Sequence, residues 1–476
     1  MTILDQNFKP EKYFEQICKY PHGSYHEKPL SDYIVEFAKQ RNLEYKQYDN
    51  YNVIIKKKGS FGLEDKEPVM LQAHMDMVCE KSADSNHDFL NDPIDIYVED
   101  GLIKARNTTL GGDDGLGVAY MLSILDENDL PHPPLECVFT VQEEVGCYGA
   151  EQLDFTYIKS KRMIGLDNMS FSSTDVTSSG SQKIKLHKNI SKVECSDNFY
   201  SLKIQGLLGG HSAGFINVER ANSIKLSARI LNKLNNYSKI NIASINGGDK
   251  DNAIPVYCET IFSSSLDYET INNYVKDTFN EYYEEFKDSD KDISATVELA
   301  NKQNVLNDID SEKLIKFLLI LPHGFRHKSM VIDNLTVSSE NLANIRMSEN
   351  DITIRYFIRA ALFSHLDEMA DEITAICDLF GYTYKLEKKS PGWTYVKDSK
   401  MRNLLFSVFK DLTGEDMKEY PTHGGLETAF ISYGIPGIDI VCLGADCKNY
   451  HTVRETLDLK TFRKGYELLK ELLKRL

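Results

Sequence analysis

The stretch at residues 69–80, VMLQAHMDMVCE, decides how the rest of the chain is read. Its first half is an apolar run of the kind that forms a buried strand, and His74 and Asp76 follow two residues apart. Side chains at that spacing share one face of a strand, so an imidazole and a carboxylate leave its end together. Such a pair suits a metal ligand and the neighbour that orients it. It equally suits a histidine hydrogen-bonded at a strand end, and later segments bear on the choice.

Working outward, TTLGGDDGLGVAYMLSIL at residues 108–125 reads as a glycine-rich turn feeding a helix from near Gly115. Residues 135–145 read as a second core strand ending in Glu143 and Glu144, and residues 162–166 as a third ending in Asp167. Upstream, residues 11–20 and 31–42 have helical spacing, and His22 and His26 between them read as surface or capping histidines. Strands alternating with helices, with polar residues stranded at strand ends, describe an α/β layer whose site lies beyond the carboxyl edge of the sheet.

The texture changes after Gly180. Residues 183–187, 199–205, 253–262, 331–337, 344–348 and 351–358 read as strands, and residues 215–234, 272–286 and 366–380 as helices. The polar stretch at 288–312 reads as a surface connection. Together these predict a smaller α+β domain on an antiparallel sheet. KKSPGW at 388–393 reads as the way back, and helices at 401–412, 424–433 and 462–476 with a strand at 438–443 complete the first domain. The expectation is an α/β catalytic domain with a central, mostly parallel sheet (1–182 and 391–476), interrupted by an inserted α+β lid domain (183–390).

Composition narrows the function classes. The chain has 476 residues, 41% hydrophobic and 27% charged, which suits a soluble globular protein of two domains. Its 55 basic and 72 acidic side chains give a net charge of -17, which argues against nucleic acid as a partner. Nine cysteines without CxxC spacing fit free thiols in a reducing compartment. Neither a signal segment nor a run of the roughly 20 apolar residues needed to span a membrane is evident. The cytoplasm is the expected location.

His74, Asp76, Asp113, Asp114, Glu143, Glu144, Asp167 and His451 all stand at the ends of apolar runs or turns. Histidines with several carboxylates suit borderline divalent metals. So many carboxylates would repel one another around a single ion, and two cations sharing a bridging carboxylate relieve this. Of the adjacent Glu143 and Glu144, one could bind metal while the other stays free as a general base. Two solvated glutamates after a strand are the alternative. The glycine-rich turn lacks the Lys and Ser/Thr of a phosphate loop and the GxGxxG form, and its aspartates would repel phosphate.

The chain resembles the cocatalytic-zinc metallopeptidases that include carboxypeptidases, deacylases and aminoacylases, and among them the aminoacyl-histidine (Xaa-His, or cytosol nonspecific) dipeptidases. The segments that carry the resemblance are QAHMDMV at 72–78, TTLGGDDGLG at 108–117, TVQEEVG at 140–146, GLDN at 165–168, GLLGGHSAG at 206–214, NGGDKDNAIP at 246–255, SPGW at 390–393, THGGLETAF at 422–430 and NYHTVRE around His451. They run in family order over nearly the whole chain.

The resemblance implies two zinc ions per subunit, with manganese or cobalt as possible substitutes. It makes His74 and Asp167 ligands of the first ion, Glu144 and His451 of the second, and Asp113 the bridge, followed by an often cis bond to Asp114. Asp76 would brace His74, and Glu143 would be the base. His211, in the inserted domain, would stabilise the oxyanion, commonly from the partner subunit, which implies a homodimer through that domain. Asn252 and Arg359 would help hold substrate, and Gly424 and Gly425 would let backbone approach the peptide carboxylate. The implied reaction is metal-dependent hydrolysis of dipeptides, Xaa-His included. N-acyl amino acid deacylase or tripeptidase activity at the same site is the near alternative, and a non-catalytic metal-binding dimer the remote one. Departures from the family pattern are Gly112 and Asp114 where relatives often have Ala and Asn, Thr428 for a usual cysteine, and Thr and Val after His451.

Overall fold

Val69–His74 is a strand with all six residues buried. In the computed structural model, which describes residues 2–476, it lies inside a six-stranded sheet. The order across that sheet is Glu44–Gln47, Val53–Lys57, Leu135–Thr140, Val69–His74, Arg162–Gly165 and Asp439–Cys442. The last four strands are parallel, and the first two add an antiparallel edge. Burial on both faces explains the continuous apolar run, as expected of parallel strands with helices on either side. Leu71 and Ala73 enter a core with Leu116, Ala119 and Phe462, whereas Met70 on the opposite face packs with Val138, Ala429 and Ile440.

Register brings the strand ends level. His74 stands opposite Thr140, and Gln72 opposite Gly165, so the residues that follow these strands leave the same carboxyl edge. The helix Gly112–Leu125 is wholly buried against this sheet, and non-helical angles at Asp113 and Asp114 set its first residues apart from the regular helix. The strand predicted for 135–145 ends at Thr140. Gln142 takes a left-handed conformation with φ 56°, and Gly146 and Cys147 follow with φ 128° and 58°. A strand cannot continue through such angles, so Glu143 and Glu144 lie on a turn.

The chain divides into two units, one of Met1–Ser178, Trp393–Pro421 and Leu426–Leu476, the other of Ser179–Gly392 with Thr422–Gly425. Whereas the sequence assigned residues 391–476 wholly to the first domain, the short loop around His423 groups with the second. Its ties explain this: the Ser179 amide donates to Gly424 O at 2.7 Å, the Ser179 hydroxyl bonds His423 O at 2.5 Å, and Ser339 Oγ lies 2.7 Å from His423 Nε2.

The second unit is built on a nine-stranded sheet whose paired strands are antiparallel. Helices Ser223–Tyr237, Tyr268–Phe286, Asp308–Ile320 and Phe363–Phe380 share one apolar core with it. Several elements differ from expectation. The strand read at 253–262 is two, Ala253–Ile254 and Cys258–Ser264, separated around Pro255, which has no amide to donate. The helix read from 215 starts at Ser223, where Asn222 Oδ1 caps the amides of Ile224 and Lys225. The stretch 288–312, read as a connection, contains the strand Ser294–Leu299 and the start of the helix at Asp308. Among the described residues no helix is long and apolar enough to cross a membrane.

Candidate metal centre

Beyond the carboxyl edge of the parallel strands, His74 Nε2 lies 3.1 Å from Asp113 Oδ1 and 3.9 Å from Asp167 Oδ2. His451 Nε2 lies 3.2 Å from the other oxygen of Asp113 and 2.9 Å from Glu144 Oε1. Asp113 therefore turns one carboxylate oxygen to each imidazole. Two donor sets result, His74 with Asp167 and His451 with Glu144, and Asp113 is common to both. Donor atoms of His74, Asp113 and Glu144 all fall within 4.8 Å of one another.

The residues fit metal ions better than they fit one another. Glu144 Oε1 is buried with no hydrogen-bond partner of acceptable alignment, although His451 is near. A buried carboxylate oxygen beside an imidazole nitrogen at 2.9 Å is a donor pair that one ion can take. Nitrogen and oxygen donors in this mixture suit zinc and similar divalent ions.

Electrostatics follow from crowding. Burial alone would lower the His74 pKa, but Asp113 and Asp76 reverse this and hold it well above its usual value. Burial also opposes charge on His451, yet Asp113 and Glu144 lift it to about 10. Asp113 would be raised by burial, and the two imidazoles instead hold it well below the usual carboxylate range. Burial and the neighbouring Asp113 raise Asp167 to about 7. Burial raises Glu143 well above its usual value, and the charges of Asp167, Glu144 and Glu427 add to it. The cluster thus holds excess negative charge that protons or cations must offset.

Positioning comes from neighbours on the same unit. Asp76 O accepts from His74 Nδ1 at 2.9 Å, which leaves Nε2 facing Asp113. The Asp76 carboxylate receives the amides of Glu143 and Glu144 at 2.9 and 3.2 Å and the Ser24 hydroxyl at 2.8 Å. One residue thereby ties the two together, holding the histidine through its backbone carbonyl and the glutamate turn through its carboxylate. The bond from Asp113 to Asp114 is cis, and Asp114 Oδ1 accepts from the Gly117 amide.

Sequence reasoning passed over other groups here. Glu455 accepts from the backbone amides of Leu110, Gly111, Gly112 and Asp113 at 2.7–3.4 Å and so holds the glycine-rich turn. Glu427 Oε2 accepts from Gln72 and Thr140, and burial pushes its pKa to about 8. Both stand inside segments already singled out, THGGLETAF and NYHTVRE. His22, read as a surface residue, is buried with its Nδ1 2.6 Å from Tyr20 O, and burial lowers its pKa.

The remaining predicted residues belong to the second unit. His211 is exposed, and its Nδ1 accepts from the Ala213 amide at 3.2 Å. Asn252 O accepts from the Ser212 amide at 2.8 Å, which ties its turn to the His211 segment. Arg359 is buried, with no hydrogen-bond partner for Nε among the described residues. Burial lowers its pKa to about 10. It depresses the pKa of His211 as the second cause after burial, and it acts in the same way on His423. A Cβ at Gly425 would meet only Ser179 O, at 3.9 Å, so this backbone is open to approach.

The model of peptidase family M20/M25/M40 matches residues 70–475. The chain is 30% identical over 465 residues to the cytosol non-specific dipeptidase of Escherichia coli (strain K12), covering 97% of this chain and 96% of that protein. The crystal structure of aminoacylhistidine dipeptidase from Vibrio alginolyticus aligns with 98% of this chain and 96% of its own, at 27% identity and a TM-score of 0.92. A tripeptidase from Staphylococcus aureus subsp. aureus Mu50 aligns with 99% of each chain at 14% identity and a TM-score of 0.57, a likeness of fold alone.

Proposed function

From the premise that the chain belongs to peptidase family M20/M25/M40, we propose that it is a cytosolic metallo-dipeptidase that hydrolyses Xaa-His and other dipeptides at a dinuclear zinc centre. The observation that carries this reading is the Asp113 carboxylate, with one oxygen turned to His74 and the other to His451. His74 and Asp167 would hold the first ion, His451 and Glu144 the second, and Asp113 both. Bound there, the ions supply Lewis acidity that polarises a peptide carbonyl and makes water easier to deprotonate.

Glu143 accepts the proton of the attacking water and returns it to the leaving amine nitrogen. Its environment suits both tasks. Burial raises the Glu143 pKa above the usual carboxylate value, and cations on Asp167 and Glu144 would cancel the repulsion that adds to it. Asp76 holds the Glu143 amide and the His74 ring in one arrangement. His211 donates a hydrogen bond to the oxyanion that develops at the carbonyl carbon. Arg359, a buried cation with a free donor, takes the C-terminal carboxylate of the peptide, with Asn252 and the backbone at Gly424 and Gly425 beside it. The protein acts as a homodimer through the second unit.

The test is Glu143→Gln in protein loaded with metal. Both ions should remain by elemental analysis, while turnover of a dipeptide falls by roughly 10²–10⁴-fold. Two retained ions with wild-type turnover would overturn the assignment of the base. A panel of dipeptides, tripeptides and N-acyl amino acids, run before and after chelation, sets the substrate class.

A further inference from the structure

The second unit gathers a separate set of nitrogen and oxygen donors. His327 lies on the strand Gly324–Lys328, and His365 and Glu368 lie one turn apart on the helix Phe363–Phe380. The two imidazole rings stack, with centroids 4.5 Å apart and planes inclined by 16°. One donor atom from each of His327, His365 and Glu368 lies within 4.8 Å of the other two.

Mutual hydrogen bonding does not account for this arrangement. His327 Nε2 and Glu368 Oε2 are 4.0 Å apart, too far for a hydrogen bond. His365 Nδ1 is buried and has no hydrogen-bond partner among the described residues. A buried, unpartnered ring nitrogen carries a desolvation cost that a ligand would relieve.

The surroundings are arranged as they are around metal-binding histidines. His327 Nδ1 is 2.7 Å from Ser338 Oγ, which fixes the ring and leaves Nε2 facing Glu368. A histidine whose second nitrogen is held in this way presents a lone pair of defined direction. The nearby guanidinium of Arg326 is engaged by Glu372 at 2.6 Å and Glu340 at 3.3 Å. Glu368 makes no ion pair with Arg326 within 4 Å, although its charge is felt there, and its carboxylate faces His327.

We propose that His327, His365 and Glu368 form a binding site for one divalent cation of the zinc type, with water completing its coordination. Two imidazoles and a carboxylate select zinc, nickel or copper over magnesium and calcium, which prefer all-oxygen shells. The side chains of His327 and Glu368 are 41% and 49% exposed, so the ion can enter from solvent without opening of the fold. Once bound, it pins the Gly324–Lys328 strand to the Phe363–Phe380 helix.

The experiment uses the full chain, stripped by chelation and titrated with zinc against a chromophoric competitor. His365→Ala and Glu368→Gln are titrated beside the wild type. Each variant should bind one equivalent fewer than the wild type. Zinc should also raise the wild-type melting temperature by an increment that both variants lose in part. Equal zinc stoichiometry in the wild type and Glu368→Gln overturns the proposal, and this variant changes a half-exposed helix position that the fold tolerates. The difference between chains is what is read, so the result does not depend on how many ions the His74 centre takes.

Discussion

Asp76 touches both the His74 backbone-bonded ring and the glutamate turn, so its removal should disturb binding before it disturbs chemistry. In Asp76→Ala the amides of Glu143 and Glu144 lose their acceptor, so Glu144 loses its fixed direction, while the backbone carbonyl that accepts from His74 Nδ1 remains. Removing such an orienting group typically weakens metal binding by 10–100-fold. Competition titration with zinc should find that loss with the far-ultraviolet circular dichroism retained. Unchanged affinity would mean that the glutamate turn is held well enough by other contacts. Arg359 makes a different prediction, because its proposed partner is substrate. Arg359→Met should raise KM for dipeptides with a free carboxylate by roughly 10–100-fold, the worth of a hydrogen bond to a charged group of about 1.5–3 kcal/mol. It should leave the corresponding dipeptide amides nearly unaffected. An equal loss on both substrates would sink the carboxylate role.

At the scale of elements, the joint between helix Asp308–Ile320 and strand Thr336–Met347 contains a histidine kept neutral. His323 Nδ1 accepts from the Leu342 amide at 3.3 Å, and burial, with the Lys225 ammonium, lowers its pKa from 6.5 to about 3. The folded state therefore refuses a proton that the unfolded chain accepts below pH 6.5, and stability is lost as pH falls from there toward 3. By about pH 4.5 the loss from this residue should be about 2–3 kcal/mol. Urea unfolding of wild type and His323→Asn should show the variant less stable at neutral pH and the gap narrowing in acid, and a gap independent of pH would refute the linkage. The same elements show what the sequence could and could not disclose. Val69–His74 and Leu135–Thr140 were legible because burial on two faces makes an apolar run, and a polar residue after such a run is conspicuous. The turn at Gln142 was not, since a left-handed glutamine leaves no mark in composition. Glu455 was overlooked as a support because the amides it receives lie 342–345 residues earlier, a pairing that only the fold creates. The strand Ser294–Leu299 was hidden by its exposure: only Val297 is buried, so no apolar alternation announces it.

For the whole molecule, the proposed mechanism divides labour between the two units: Glu143 and the metal ligands lie in the first, His211 and Arg359 in the second. If the protein is a homodimer in which each His211 serves the partner's centre, two inactive variants should rescue one another. Glu143→Gln lacks the base and His211→Ala lacks the oxyanion donor, so each alone should be nearly inactive. In a mixed dimer, the subunit carrying His211→Ala keeps its own Glu143 and receives an intact His211 from its partner, which restores one of its two sites. Random exchange makes about half of the dimers mixed, so the mixture should recover about a quarter of wild-type turnover. Service within one subunit predicts no recovery at all, since every centre then lacks either its base or its donor. The assay needs reversible dissociation before mixing and sedimentation afterwards, so that a failure to exchange subunits is seen directly and kept apart from a failure to complement.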